Sequence, residues 1–303
     1  MSKIWKTEPQ GVFRTTKWKK DIRGIILPDV HYPAHDWRKL EMVFEAASDM
    51  KLDFGVQLGD LLDLSALGRW ADGKPGSVEG ERALEDFDHA GRFWDQFGEA
   101  VRANNSKAKL YALEGNHEKR VHDLCDKMPY FTGLFHWPNI LDFDERKVTW
   151  VPSFSETCML RFDWKDGGIE SRLLRRTDWV SGMGIAFIHG WFCNVHHAKK
   201  TAERYGRALP IFYGHTHDVQ LYTSHAFGWP RAFSGSLGHL RLADPEYIST
   251  SDRWQPAFAV VDISAEEGVW DIHIIRITED AAGNSHFFLN GKHYKSRKLH
   301  GTK

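Results

Sequence analysis

The sequence predicts an α/β fold, a largely parallel β-sheet with a second, more antiparallel sheet packed against it. Two patterns point that way. Over residues 23–117 short runs of β-forming residues alternate with helical stretches, as βαβ units do. Later in the chain strand-like runs succeed one another with little helix between them. A third observation places a site on that frame: several predicted strands end in Asp, His or Asn.

"RGIILPDVH" (23–31) reads as a buried strand, a short apolar run closing on an acid and a histidine. "DWRKLEMVFEAASDM" (36–50) follows as a helix, with Leu40, Val43, Phe44 and Ala47 at helical spacing and Asp36 placed to cap it. "DFGVQLGD" (53–60) is a second buried strand. Residues 78–105 are helical, since Phe87, Ala90, Trp94, Phe97 and Val101 share one face. "AKLYALEGNH" (108–117) is a third strand. From about 119 to 180 the pattern lapses into short helical stretches and one hairpin, "CMLRFDWKDGGIESRLLRR" (158–176), with Asp-Gly-Gly at its tip. That segment reads as an insertion on the main fold. "GMGIAFIHG" (182–190) and "PIFYGHTH" (210–217) are strands on either side of a helix at 196–207. "RAFSGSLG", "AFAVVDIS" and "VWDIHIIRIT" then supply the second sheet, and "ADGKPGSVEG" (71–80) reads as a mobile loop.

Composition bounds the function. At 303 residues and 42% hydrophobic, the chain can bury a sizeable core, as one elaborated domain or two small ones. Forty Lys and Arg against 41 Asp and Glu leave a formal net charge of −1, so no global field draws it to polyanions. "MSKIWKTEPQ" has no apolar core of a leader, and no apolar stretch is long enough to span a bilayer. Three cysteines, Cys125, Cys158 and Cys193, are too few and too scattered for a disulfide framework or a CxxC site. A reducing, cytoplasmic setting is expected. Seventeen histidines leave the interest in where they fall.

They fall at strand ends. Asp29 and His31, Asp60 and Asp63, Asn116 and His117, His189, and His215 with His217 each close a predicted strand. In an open α/β sheet the carboxyl ends of parallel strands share one rim, where ligands bind. Gly59, Gly115, Gly190 and Gly214 sit beside four of these clusters. A set of Asp, His and Asn without thiolate suits borderline divalent ions (Mn, Fe, Zn, Ni or Co) better than Ca or Mg. A carboxylate shared by two ions about 3.5–4 Å apart makes a clamp for in-line displacement at phosphorus.

The motifs "DVH", "GDLLD", "GNHE", "HG" and "GHTH", in that order, resemble the calcineurin-like metallophosphoesterase family, in its small bacterial and phage form. The resemblance covers about 23–240. It implies that Asp29, His31 and His217 bind one metal ion, that Asn116, His189 and His215 bind a second, and that Asp60 bridges them. It also implies two divalent transition-metal ions, most simply Mn, with a hydroxide between them as nucleophile. His117 would protonate the leaving oxygen, with Asp63 fixing its tautomer and keeping it cationic. The architecture expected is then a single domain over 1–303. It would be an α+β-type four-layer sandwich of two mixed sheets packed face to face and flanked by helices. Rim insertions are expected at about 64–105 and 119–180.

Other roles compete at single positions. Asp63 could cap a helix. Arg69 and Arg120 could fork onto phosphate or lie on the surface in ion pairs. His196 and His197 belong on a helix surface. Trp37, Trp70 and Trp191 fit packing better than base stacking, Trp94 belongs to the core, and the cysteines are small buried hydrophobes. "RTTKWKK" (14–20) and "KHYKSRK" (292–298) read as solvated basic tails. Protein phosphatases related to this family follow GDxxD with Arg-Gly, whereas Leu64 and Ser65 follow here. The expected activity is therefore a phosphodiesterase on nucleotides or nucleic acid. A phosphoprotein phosphatase, or a non-catalytic scaffold on the same fold, would be the alternative.

Overall fold

A computed structural model describes residues 13–68, 76, 79–80, 82–133, 135–175, 184–205, 209–223, 233–241 and 253–296. The first half contains β1 (Thr16–Trp18), β2 (Ile22–Leu27), α1 (Trp37–Asp49), β3 (Phe54–Gln57), α2 (Ala83–Arg102), β4 (Lys109–Leu113), α3 (Asn116–Lys127), α4 (Trp137–Ile140), α5 (Phe143–Arg146) and β5 (Val148–Val151). The second half adds β6 (Cys158–Lys165), β7 (Gly168–Arg175), β8 (Gly184–Phe187), α6 (His197–Arg204), β9 (Ile211–Tyr213), β10 (Val219–Thr223), β11 (Phe233–Leu237), β12 (Ala257–Ile263) and β13 (Trp270–Arg276). A small antiparallel sheet of β14 (Thr278–Glu279), β15 (Ser285–Leu289) and β16 (Lys292–Lys295) follows.

Two mixed sheets carry the fold. One has the order β13-β12-β2-β3-β4-β5, with β2 to β5 parallel; the other has the order β1-β7-β6-β8-β9-β11-β10, with β8, β9 and β11 parallel. Because side chains alternate along a strand, β2 feeds two cores. Ile22 and Ile26 join Phe54, Val56, Phe162, Phe187 and Phe212 between the sheets, while Ile25 and Leu27 face Leu40, Val43, Phe93 and Phe97 of α1 and α2. A third cluster, with Ile211 and Tyr213, packs on Tyr205 behind the second sheet. Helix, sheet, sheet, helix gives the expected four layers.

Local chemistry sets the elements. Asp36 caps α1 by accepting from the N–H groups of Arg38 and Lys39. The β6–β7 hairpin turns through Asp166 (φ 52°) and Gly167 (φ 69°), both left-handed as a type I′ turn requires.

Four expectations need correction. β12 and β13 join the first sheet rather than the second, β12 antiparallel to β2 and β13 antiparallel to β12. Segment 119–180 is more framework than insertion, since β5, β6 and β7 belong to the two sheets and Phe162 is fully buried. Likewise α2, within 64–105, is the crossover helix between β3 and β4 and buries Ala90, Trp94, Phe97 and Val101. The two basic "tails" are strands: β1 pairs with β7, and in β16 Lys292 donates to Glu45 and Asp49 of α1. Most of the expected loop 71–80 lies outside the described residues.

Candidate metal centre

One end of the two sheets gathers all nine strand-end residues. Asp29 and His31 follow β2, Asp60 and Asp63 follow β3, and Asn116 and His117 open α3 after β4, all on the first sheet. His189 follows β8, and His215 with His217 follow β9, on the second. All are buried except Asn116 and His215, which are half-buried.

The backbone is bent to place them. His31 (φ 58°), Asp60 (φ 52°), His215 (φ 70°) and His217 (φ 61°) all sit in the left-handed region, at a cost of about 1 kcal/mol or more each for residues with a Cβ. The turns also close on one another. A Cβ on Gly115 would overlap Asp60 Oδ1, and one on Gly214 would overlap Asp29 Oδ2. Glu118 braces the region by accepting from the N–H groups of Asp60 (2.8 Å), Gly115 (2.9 Å) and Leu62 (3.1 Å). Across the sheets, the N–H of His215 donates to Asp29 Oδ1 at 2.9 Å.

Second contacts fix how the imidazoles point. His189 Nδ1 donates to the Leu58 carbonyl at 3.0 Å, which leaves its Nε2, 2.9 Å from Asn116 Oδ1, as the nitrogen that would take a metal on losing its proton. His31 Nδ1 donates to Asp63 Oδ1 at 3.0 Å, turning its Nε2 toward His217 Nε2 at 3.0 Å. Asp60 Oδ2 lies between the two, 3.4 Å from His189 Nε2 and 3.8 Å from His31 Nε2. His217 Nδ1 has no hydrogen-bond partner among the described residues. Three imidazole nitrogens, a carboxylate oxygen and an amide oxygen thus converge at close range, a donor set that suits a cation. Histidines held through one nitrogen with the other turned inward are the usual metal-ligand geometry.

Three groups could hold an ion: Asp29, His31 and His217; His31, Asp63 and His117; and Asp60, His189 and His215. Imidazole with carboxylate and amide oxygen fits a divalent transition metal. The electrostatics agree. Burial raises the Asp60 carboxyl, but His189, His117 and His31 around it outweigh that and hold it well below its ordinary value. Burial lowers His189, yet Asp60 and Asp29 carry it up to about 9. Burial, with the Asp60 charge adding to it, pushes Glu118 up to about 7 against the backbone N–H groups it accepts from.

His117 differs from its neighbours. Its Nδ1 donates to the backbone carbonyl of Asp63 at 2.6 Å, and its Nε2 faces Arg120 Nη2 at 3.0 Å. The Asp63 carboxylate is spent on His31 and on the Ser65 hydroxyl. Asp63 therefore fixes the His117 tautomer through its main chain, and burial drives His117 down to about 3, the neutral form rather than the expected cation. Arg120 itself donates to the carbonyls of Asp63 (2.7 Å) and Leu64 (3.2 Å). Arg69 and Trp70 lie outside the described residues.

A cavity of about 270 Å³ opens over these groups and shows what the sequence did not. Trp254 packs edge-on to His217 with ring centres 4.3 Å apart, and Arg241 lies 3.7 Å from Asp63 Oδ2. Cys193, expected to be buried, is exposed with its Sγ 2.9 Å from His215 Nε2. His197, expected on a helix surface, is buried and bonded to Tyr213 Oη (2.6 Å) and Asp218 Oδ2 (3.0 Å). Trp191 stacks on Phe154 as packing requires.

The chain has known relatives. It is 24% identical over 264 residues to the Gene 54 protein of Mycobacterium phage L5, covering 80% of this chain and 90% of that one. The Gene 54 protein of phage D29 is 22% identical over 275 residues, covering 80% and 89%. Among solved structures, Vps29 of Chaetomium thermophilum aligns with 12% identity and a TM-score of 0.44, over 91% of this chain and all of that one. The family model described as calcineurin-like phosphoesterase matches residues 22–219, the stretch from β2 to the first residue of β10, which contains every one of the nine strand-end residues. By that match the chain belongs to the calcineurin-like phosphoesterase family.

Proposed function

We propose that the chain, as one domain, is a dinuclear metal-dependent phosphodiesterase acting on nucleotides or nucleic acid. The observation that carries this reading is the pair of inward-turned Nε2 atoms on His31 and His189, with Asp60 Oδ2 between them. One position would be held by Asp29, His31 and His217, the other by Asn116, His189 and His215, with Asp60 common to both. Two ions there would acidify a water and neutralise charge on the phosphoryl oxygens. The remaining work falls to side chains. His117 lines the cavity with its ring held by the Asp63 carbonyl; to protonate the leaving oxygen it would first take up a proton at Nε2, in place of the Arg120 contact. Arg241 presents cationic donors to the same cavity, with Trp254 as a wall. Leu64 and Ser65 stand where protein phosphatases carry the arginine that binds a dianionic monoester, and a diester with its single charge needs less of that neutralisation.

Elemental analysis of saturated protein should find about two transition-metal ions per chain, and a Mn-loaded sample should cleave bis-p-nitrophenyl phosphate faster than p-nitrophenyl phosphate. One ion or none with activity intact would overturn the dinuclear reading. Faster turnover of phosphoserine peptides than of every nucleotide or DNA substrate would replace the diesterase with a phosphatase. No hydrolysis at full metal occupancy would leave a scaffold.

A further inference from the structure

A second cleft lies at the opposite end of the sheets from the candidate metal centre. Its volume is about 1260 Å³, against about 270 Å³ at the metal centre. It is lined where parallel strands begin, at Asp53 before β3, Lys109 at the head of β4 and Val148 at the head of β5, and by β1 across from them. Its charge is uneven, eight basic side chains against two acids, Asp53 and Asp144. Arg14, Lys51, Lys107, Lys109 and Lys147 line it, and none of the five has an acidic partner among the described residues. Lys20 is already paired with Asp53 at 2.6 Å, and Lys17 with Glu170 at 3.7 Å. Two half-buried indoles, Trp18 and Trp150, share the lining.

Five unpaired cations in one concavity repel each other, and on a chain of net charge −1 they are not the overflow of a basic composition. Such a concentration is stabilised by an anion that runs along it. Spread cations with interleaved aromatic faces match a strand with a repeating phosphate and flat bases better than a single small anion. We infer that this cleft binds a single-stranded nucleic acid by its phosphate backbone, as a second surface remote from the metal centre. The inference stands independently of the phosphoesterase reading, because it needs no chemistry at the other end of the sheets.

Binding of a fluorescent single-stranded oligonucleotide to the full chain tests it. Neutralising about five phosphates predicts a slope of roughly −3.5 in log affinity against log salt, or about a hundredfold loss between 50 and 200 mM. The double variant K107E/K147E should weaken binding by at least about tenfold and flatten the slope by about 1–2, while K107R/K147R keeps wild-type affinity. Hydrolysis of bis-p-nitrophenyl phosphate should be the same in all three proteins, so a failure of binding and a failure of catalysis are read separately. Equal oligonucleotide affinity in K107E/K147E and wild type would overturn the assignment. So would tighter binding to anionic phospholipid vesicles than to the oligonucleotide, or competition by millimolar inorganic phosphate alone. Duplex DNA bound as tightly as the single strand would overturn the single-strand assignment.

Discussion

His117 and His189 both approach Asp60 Oδ2 and have opposite electrostatics. His117 is neutral, its Nδ1 held by a carbonyl and its Nε2 by Arg120, so the proposed acid role requires that Nε2 gain a proton during the reaction. His117→Ala should keep both metal ions and lose roughly 10²–10⁴-fold in turnover, the usual worth of a positioned acid. The loss should shrink on p-nitrophenyl esters, whose leaving group needs little protonation; equal losses on good and poor leaving groups would remove the acid role. His189 behaves differently. Its Nε2 must shed a proton to bind a metal, and in the metal-free protein that proton holds up to about pH 9. Metal affinity should therefore rise with pH, by about tenfold per unit below 9, and level off above it. The metal-free protein should move the other way. A raised pKa adds stability that is complete below the ordinary 6.5 and fades as pH climbs to about 9. Chelator competition at several pH values checks the first, and a flat profile would count against His189 as a ligand. The nine strand-end residues were legible because Asp, His and Asn recur at five strand ends, four of them beside glycine, in one fixed order of motifs. Arg241 and Trp254 were not. "GSLGHLR" ends β11, which runs parallel to β9 and so delivers to the same rim, but no local pattern announces that pairing.

At the scale of elements, β6 was the least legible. Its hairpin was readable from Asp-Gly-Gly, yet the strand looked like an insertion because no helix flanks it. It is instead a central strand, paired on both edges, with Phe162 stacked against Trp18 and Phe54. Phe162→Ala should cost about 3–5 kcal/mol, measurable by denaturant unfolding, whereas a true rim insertion would tolerate it within about 0.5 kcal/mol. The misassigned β12 and β13 carry a related lesson. An antiparallel strand at a sheet edge has the same alternation whichever sheet it joins, so its partner is decided by tertiary packing. By contrast α1 and α2 were read closely, since a cap and a helical stripe are local facts.

At the scale of the molecule, each proposed metal position is shared between the sheets. Asp29 and His31 meet His217 from across the interface, and Asp60 meets His189 and His215. An ion at either place would fasten one sheet to the other. Saturation at about a hundred times the dissociation constant should stabilise the fold by about 2.7 kcal/mol per site, lost on chelation. Hydrogen exchange should then quicken first at the turns after β2, β3 and β9, and an unchanged melting curve on chelation would show that the sheets hold without the ions.

That sharing also fixes a calendar for the chain's synthesis. His31 and His217 touch at 3.0 Å but stand 186 positions apart, a gap that translation crosses in roughly 10–40 s. During that interval the first sheet's Asp29, His31 and Asp60 already exist without His189, His215 and His217, the imidazoles that complete their sets. Whatever neutralises them meanwhile, it is not a finished site, and no ion can template this fold from its first strand. On the proposed reading, metal capture would belong to the end of folding, after the two sheets have closed.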